Sequence, residues 1–109
     1  MRRRIGVPVD AEMADKVLGI REEPGWIGPV CRGQALGAIP NGTRIVKAAI
    51  EIGDSHKIGA LGTVLGSLSS PPAMRVDFPD VDYVYCIEWD DSPKTAVFIV
   101  NWKIQRANP

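Results

Sequence analysis

The stretch YVYCIEWDDSPKTAVFIV, residues 83–100, decides the fold class of this chain. Over residues 83–89 the side chains alternate along an extended backbone, and one face is formed by Tyr83, Tyr85, Ile87 and Trp89. Residues 90–94, DDSPK, are turn formers, and residues 95–100 are an almost uninterrupted run of β-forming side chains. The stretch therefore predicts a β-hairpin.

The residues on either side of this hairpin predict three further short strands. Residues 43–52 are rich in β-branched side chains, residues 62–68 follow a glycine-rich turn, and residues 101–106 alternate again after a short turn. Two prolines within residues 69–80 lack backbone donors, so we expect a long exposed connection there. About five short strands within residues 41–106 predict a mainly β domain, either a small barrel or a barrel-like sandwich.

A short helix over residues 11–22 is predicted within an N-terminal leader, residues 1–40. Asp10 is a suitable N-cap, and apolar side chains then follow the i, i+4, i+7 spacing of one helical face at Met13, Val17 and Ile20. The Pro24-Gly25 pair ends the helix, because proline disfavours helical geometry in the preceding residue.

Residues 26–40 predict an irregular arm, because glycines and prolines interrupt them too often for a long strand or helix. The arm also carries the apolar residues Trp26, Ile27, Val30, Leu36 and Ile39. Two interpretations stay open: these side chains cover one side or one open end of the barrel, or the arm is a flexible leader.

Composition excludes several classes of protein. The 109 residues carry 13 basic and 13 acidic side chains, so the basic surplus of a typical nucleic-acid binder is absent. No run of about 18 apolar residues could span a membrane, and acidic residues lie where a signal peptide would be apolar. With only Cys31 and Cys86, no disulfide framework or metal knuckle is expected. We expect a cytoplasmic protein without a metal or cofactor.

One motif goes beyond generic β patterning. The sequence KIGALGTV, residues 57–64, resembles the K-x-G-x-x-G-x-V core of the KOW motif, and IEWDD, residues 87–91, is similar to the V-x-W-D strand ending of KOW, Tudor and mind-bomb type SH3-like barrels. The resemblance implies a five-stranded SH3-like barrel. Gly59 and Gly62 would then supply backbone angles or close approaches that a Cβ obstructs. The GDSH and WDD stretches, residues 53–56 and 89–91, also resemble short bacterial hypothetical proteins, with no activity implied.

The leading functional hypothesis is a non-enzymatic binding or accessory module that contacts a protein partner through its aromatic and acidic loops. The candidate residues are Trp89, Asp90, Asp91, Tyr83, Tyr85, His56 and Lys57, together with Trp102. Each has a structural alternative, because the aromatic residues would also suit the core and the polar ones would also suit turns. Whether the chain pairs with a second copy stays open.

Two alternative functions come from other classes. A KOW-like nucleic-acid-associated protein would contact phosphates through the cationic residues Arg2, Arg3, Arg4, Arg44, Lys47 and Lys57. Acidic residues in the same region weaken that alternative. A small enzyme would use His56 with Ser55 or Ser67 and an aspartate, although no nucleophile elbow accompanies either serine.

Overall fold

A computed structural model describes residues 19–70 and 76–107, and these residues form a mainly β structure, which confirms the predicted class. The strands are β1 (Ile20–Arg21), β2 (Val30–Cys31), β3 (Arg44–Lys47), β4 (Leu61–Ser69), β5 (Tyr83–Trp89), β6 (Ala96–Val100) and β7 (Ile104–Arg106), with a 3-10 helix at Asn101–Lys103. Strands β1 and β2 form one antiparallel sheet, and the other five form a second.

The five-stranded sheet is antiparallel and has the order β6-β5-β4-β3-β7. The predicted hairpin is present, since β5 pairs with β6 in a register that places Cys86 opposite Phe98. The last strand returns to the first, because Ile45 of β3 lies opposite Arg106 of β7. The prediction of a barrel is wrong, because among the described residues the edge strands β6 and β7 do not pair with each other and the sheet stays open. The edge strand β7 has only three residues, which is too short an edge to close the sheet.

Glycines allow the chain to turn into β4 and to pack closely there. Gly59 has a φ of +95°, and an added Cβ at Gly62 would lie 2.9 Å from the carbonyl oxygen of Glu88. Both expectations drawn for these glycines are thereby met. The ladder between β4 and β5 shifts between Val64 and Gly66, which is the place where a β-bulge bends the strand.

The sheet is buried on both faces, and the alternation of β5 supplies both cores. One core consists of Ile45, Val64, Tyr85, Ile87, Trp89 and Ile104. The other consists of Val30, Cys31, Leu65 and Cys86. Burying each large apolar side chain is favourable by about 1.5 to 3 kcal/mol. The first cluster joins strands within the five-stranded sheet, and the second holds the β1–β2 sheet against it.

The predicted helix over residues 11–22 lies mostly outside the described residues, and its described end is not helical. Residues 20 and 21 form β1, in which Ile20 pairs with Cys31 of β2. The helix prediction is wrong for these residues, because pairing between β1 and β2 outweighs a weak local helical preference.

The arm between residues 26 and 40 covers the sheet, which was one of its two interpretations. Val30 is fully buried, and Ile39 packs against the first core while its amide donates a hydrogen bond of 2.9 Å to the hydroxyl of Tyr85. Not every apolar residue of the arm is used in this way, since the side chains of Ile27 and Leu36 are exposed.

Candidate functional site

An open cleft of about 510 Å³ lies between the β3–β4 loop (residues 48–60), strand β6 and the 3-10 helix. Three residues with exposed aromatic side chains line it: Phe78 at 56%, Phe98 at 37% and Trp102 at 41% of full exposure. Phe78 comes from the segment before β5, Phe98 and Trp102 come from β6 and the 3-10 helix that follows it, and the buried Trp89 also lies against the cleft. The fold thus gathers an apolar, aromatic surface into one concave place.

Ionic contacts hold the β3–β4 loop in place as one wall of the cleft. The Nζ of Lys103 lies 2.8 Å from Oδ1 of Asp54 and 2.8 Å from Oε1 of Glu51. From beneath, the Nζ of the buried Lys47 lies 3.3 Å from Oδ2 of Asp54 and donates to the carbonyl oxygen of His56 at 2.6 Å. The two lysines therefore fasten both ends of the 51–56 segment.

These contacts stabilise the ionised form of Asp54. The hydrogen bond from Lys103 is the main cause that lowers the pKa of this carboxyl group to about 2, and the amide of Glu51 and the ammonium of Lys47 add to it. Lys103 responds in the opposite sense, since Asp54 and Glu51 raise the pKa of its ammonium group. Asp54 and Lys103 therefore both stay charged over the neutral pH range.

His56 connects this loop to the β5–β6 turn. Its Nδ1 lies 2.7 Å from Oγ of Ser55, and its Nε2 lies 2.7 Å from Oδ1 of Asp91. The imidazole ring stacks on Trp89 with 4.9 Å between ring centroids and 21° between planes. The hydrogen bond from His56 lowers the pKa of Asp91. Sequence reasoning found no support for a Ser-His-Asp group, and the structure brings these three residues into one hydrogen-bonded chain.

The hydrogen-bond distances between Ser55, His56 and Asp91 are those of a site that activates a hydroxyl group as a nucleophile. If Nε2 carries the proton and donates it to Asp91, Nδ1 accepts the hydrogen bond of the Ser55 hydroxyl. The same contacts also have a mechanical effect, because they hold the ring against Trp89 and tie the loop to the turn. Ser67, the other serine considered, is buried elsewhere and accepts a hydrogen bond from the amide of Ala35.

The segment that follows residue 75 places acidic residues next to residues that line the cleft. Asp77, Asp80 and Asp82 are exposed and flank Phe78 and Val81, which line the cleft. The Oδ1 of Asn101 in the 3-10 helix accepts a hydrogen bond of 2.8 Å from the amide of Asp82, which fixes this segment beside the cleft. Within residues 19–70 and 76–107, no ion pair involves these three aspartates.

Of the two tyrosines predicted as site residues, Tyr85 is buried and Tyr83 is half-buried, and the hydroxyl groups of both contact the arm. The hydroxyl oxygen of the buried Tyr85 accepts a hydrogen bond from the amide of Ile39, and the hydroxyl of Tyr83 donates one to the carbonyl oxygen of Leu36 at 2.8 Å. Both therefore position the arm. Trp89 is also buried, so its part in the cleft is to support His56 from below.

The cations of the nucleic-acid alternative are mostly engaged within the protein. Arg44 makes a two-pronged ion pair with Asp90, another predicted site residue, at 2.7 and 2.5 Å. Lys47 is buried beneath the loop, whereas Lys57 is exposed. The arginines at positions 2–4 lie outside the described residues. The nucleic-acid alternative stays a prediction, and two of its three described cations already have carboxylate partners.

Sequence reasoning missed several cleft residues. They are Phe78, Phe98, Glu51, Asp54 and Lys103. A usable signal was present in VDFPDVD, residues 76–82, because an exposed loop that alternates apolar and acidic residues is unusual for a simple connection. No local sequence pattern indicated the contacts of Lys47 and Lys103, since Lys47 lies in β3 and Lys103 in the 3-10 helix, outside the loop that carries Asp54.

In the part of the chain that the structure describes, no three His, Cys, Asp or Glu side chains are grouped so as to hold a metal ion. No helix among these residues is long and apolar enough to cross a membrane. No protein-family model, curated protein or solved structure matches the chain.

Proposed function

We propose that this protein is a binding module whose cleft takes up an extended, basic and partly apolar segment of a partner protein. The observation that carries the proposal is the open cleft with three exposed aromatic side chains, Phe78, Phe98 and Trp102. Exposed aromatic rings gathered in a concave surface are characteristic of peptide-binding grooves, because they offer large contact areas at little entropic cost.

The charge around the cleft supports a basic partner. Asp77, Asp80 and Asp82 have no described ion-pair partner, and the Glu51 side chain is exposed at the rim although it contacts Lys103. Lysine or arginine side chains of a partner would compensate these charges and speed the encounter. An acidic or nucleic-acid partner would meet the same carboxylates with the wrong sign.

We further propose that the five-stranded sheet is an opened relative of the SH3-like barrels. Two features support this relationship. The KIGALGTV stretch forms the loop-to-strand entry into β4, and the fifth strand of the sheet returns to pair with its first. In such a unit the loops between strands form the partner surface, and here the 48–60 and 76–82 segments flank the cleft.

A peptide-binding assay tests the proposed function. The probes are two fluorescently labelled six-residue peptides, one alternating lysine with valine and one alternating glutamate with valine, and binding is followed by polarisation. We expect the basic peptide alone to bind, and Trp102→Ala to weaken it about tenfold because a central aromatic contact is lost. Leu36→Ala is the matched control, since Leu36 is exposed but lies outside the cleft. Equal binding of the two peptides, or equal losses in the two variants, would contradict the proposal.

The hydrogen-bonded chain of Ser55, His56 and Asp91 favours one second candidate, an ester hydrolase. In that case the Ser55 oxygen attacks the ester carbonyl carbon, His56 takes the hydroxyl proton and returns it to the departing alcohol, and water then releases the acid from the serine. The test is hydrolysis of p-nitrophenyl acetate. This candidate requires turnover that Ser55→Ala and His56→Gln both abolish, and a rate unaffected by either substitution would remove it.

A further inference from the structure

Strand β6 forms an edge of the five-stranded sheet, and within residues 19–70 and 76–107 its outer side is paired only at its beginning. The amide of Ile27 in the arm donates to the carbonyl oxygen of Lys94 at 2.8 Å, and the amide of Ala96 donates to the carbonyl oxygen of Ile27 at 3.0 Å. This short parallel bridge ends at Gly28, where the arm leaves the edge. The amide of Ala96 therefore faces away from β5.

The direction of the Ala96 amide fixes the direction of the amides that follow it. In an antiparallel ladder, residues alternate between facing the partner strand and facing away from it. Since Ala96 faces outward, the backbone groups of Val97 and Ile99 face β5, and those of Phe98 and Val100 face outward. Among the described strands, none pairs with this outer side of β6.

The cleft runs along this edge. Four consecutive residues, 97–100, line it, although successive side chains of a strand point to opposite faces of the sheet. A surface that touches all four must follow the strand's backbone edge and not one face alone. Any segment that occupies the cleft is thereby placed beside the outward backbone groups of Phe98 and Val100.

We infer that the partner segment binds by strand addition, extending the sheet beyond β6; this inference rests on the proposed function and specifies its binding mode. The segment's backbone exchanges hydrogen bonds with Phe98 and Val100. Its side chains alternate, so its apolar residues on one face enter the cleft, and its basic residues compensate the carboxylates of the 76–82 segment beside the cleft. The bridge made by Ile27 limits the addition to the second half of β6.

A basic partner suits this edge better than a second copy of the chain. The edge strand itself is AVFIV and carries no basic side chain, so pairing two β6 strands would leave the aspartates of both copies without opposite charges. A lysine- or arginine-containing segment compensates these charges, and exposed edge strands are suited to accept such a strand.

Amide hydrogen exchange measured by NMR on the whole chain tests strand addition. The probe is the peptide that alternates lysine with valine. On its addition we expect exchange at Phe98 and Val100 to slow at least tenfold, while Val97 and Ile99 are protected before and after. Binding without new protection at Phe98 and Val100 would overturn strand addition and leave the cleft as a docking site, whereas no binding at all would overturn both. Protection of the same amides that grows with protein concentration alone would show self-pairing instead and overturn the inference.

A pair of substitutions at one position gives an independent test. Phe98→Ala keeps the outward amide and removes the ring, and Phe98→Pro removes both. Proline is tolerated on an edge strand where the missing N–H faces away from the ladder, so both variants are expected to fold. Loss of one hydrogen bond should make the proline variant bind the peptide about fivefold more weakly than the alanine variant. Equal affinities in two folded variants would contradict the inference; should the proline variant not fold, the exchange measurement decides.

Discussion

Asp54 is the residue on which the most contacts of the cleft wall converge. Its carboxylate forms ion pairs with Lys103 and Lys47 and accepts a hydrogen bond from the amide of Glu51, and no two of these partners come from the same element. By itself, the Gly-Asp-Ser stretch at residues 53–55 indicates only a turn. The two lysines that make it a fixed wall come from β3 and from the 3-10 helix, 7 and 49 residues away.

The depressed pKa of Asp54 makes stability depend on pH in a defined window. A carboxyl group with a pKa of about 2 when folded, and near its ordinary value of 3.8 when unfolded, stabilises the fold above pH ~4 and loses this contribution as the pH falls towards 2. We expect Asp54→Asn to be less stable than the wild type at pH 7, and the difference to shrink as the pH falls below about 4 until most of it is lost near pH 2. Urea unfolding of both proteins across this range measures it.

The control for this experiment is Asp77→Asn, which removes an exposed carboxylate without a described ion pair. Its effect at pH 7 should stay within about 0.5 kcal/mol of the wild type. A difference between the wild type and Asp54→Asn that stayed constant from pH 7 to pH 2 would show that the carboxylate does not stabilise the fold through its charge.

Lys47 and Lys57 offer a matched pair of lysines in different environments. Lys47 is 2% exposed and contacts both Asp54 and the carbonyl oxygen of His56, whereas Lys57 is exposed. We expect Lys47→Met to destabilise the fold by about 2 kcal/mol, because it removes one cationic partner of the Asp54 carboxylate and leaves the carbonyl oxygen of His56 without its donor. Lys57→Met should cost less than about 0.5 kcal/mol. Chemical denaturation of both variants decides, and equal costs would count against the role given to Lys47.

At the scale of elements, β4 is the strand that joins the two halves of the structure. It pairs with β3 and β5 within its sheet, and its bulge lets the backbone of β2 approach at Gly66. The sequence predicted this strand and explained Gly59 and Gly62. It did not predict the role of Gly66, because a glycine inside a strand pattern does not show which distant backbone will pack on it.

Gly66→Ala tests this close approach. An added Cβ would collide with the backbone of Cys31, so β2 would have to move away from β4. We expect a loss of about 3 kcal/mol in unfolding free energy, at the upper end of overpacking effects. The comparison is Gly25→Ala, where the φ of +83° costs about 1 kcal/mol but nothing lies within 4 Å of the new Cβ. A smaller loss for Gly66→Ala than for Gly25→Ala would contradict the packing described here.

At the scale of the whole molecule, local sequence patterns predicted the main strands well but not how the second sheet and the loops pack around them. The hairpin of β5 and β6 and the final turn and strand follow from alternation and turn residues within a few positions. The β1–β2 sheet, the open edge and the cleft depend on contacts between distant segments, so no local pattern could specify them. The predicted helix was wrong at its described end for the same reason, since Ile20 pairs with Cys31 instead.

The candidate site shows the same division between local and distant information. His56 and Asp91 were selected because they lie in polar loops, and they do meet, at 2.7 Å. Tyr83 and Tyr85 were selected for their chemistry, and the structure uses both to hold the arm. Amphipathic aromatic residues suit a binding surface and an internal contact equally well, so only the packing of the whole chain separates the two roles.

An NMR titration of the isotopically labelled protein with the alternating lysine–valine peptide tests most directly whether the cleft binds a basic extended segment. We predict saturable shifts confined to the 48–60 loop, β6 and the 3-10 helix, with the Trp102 indole among the most affected signals. Residues of the β1–β2 sheet, on the opposite face, should not respond. Shifts centred on that sheet, or none at millimolar peptide, would contradict the claim.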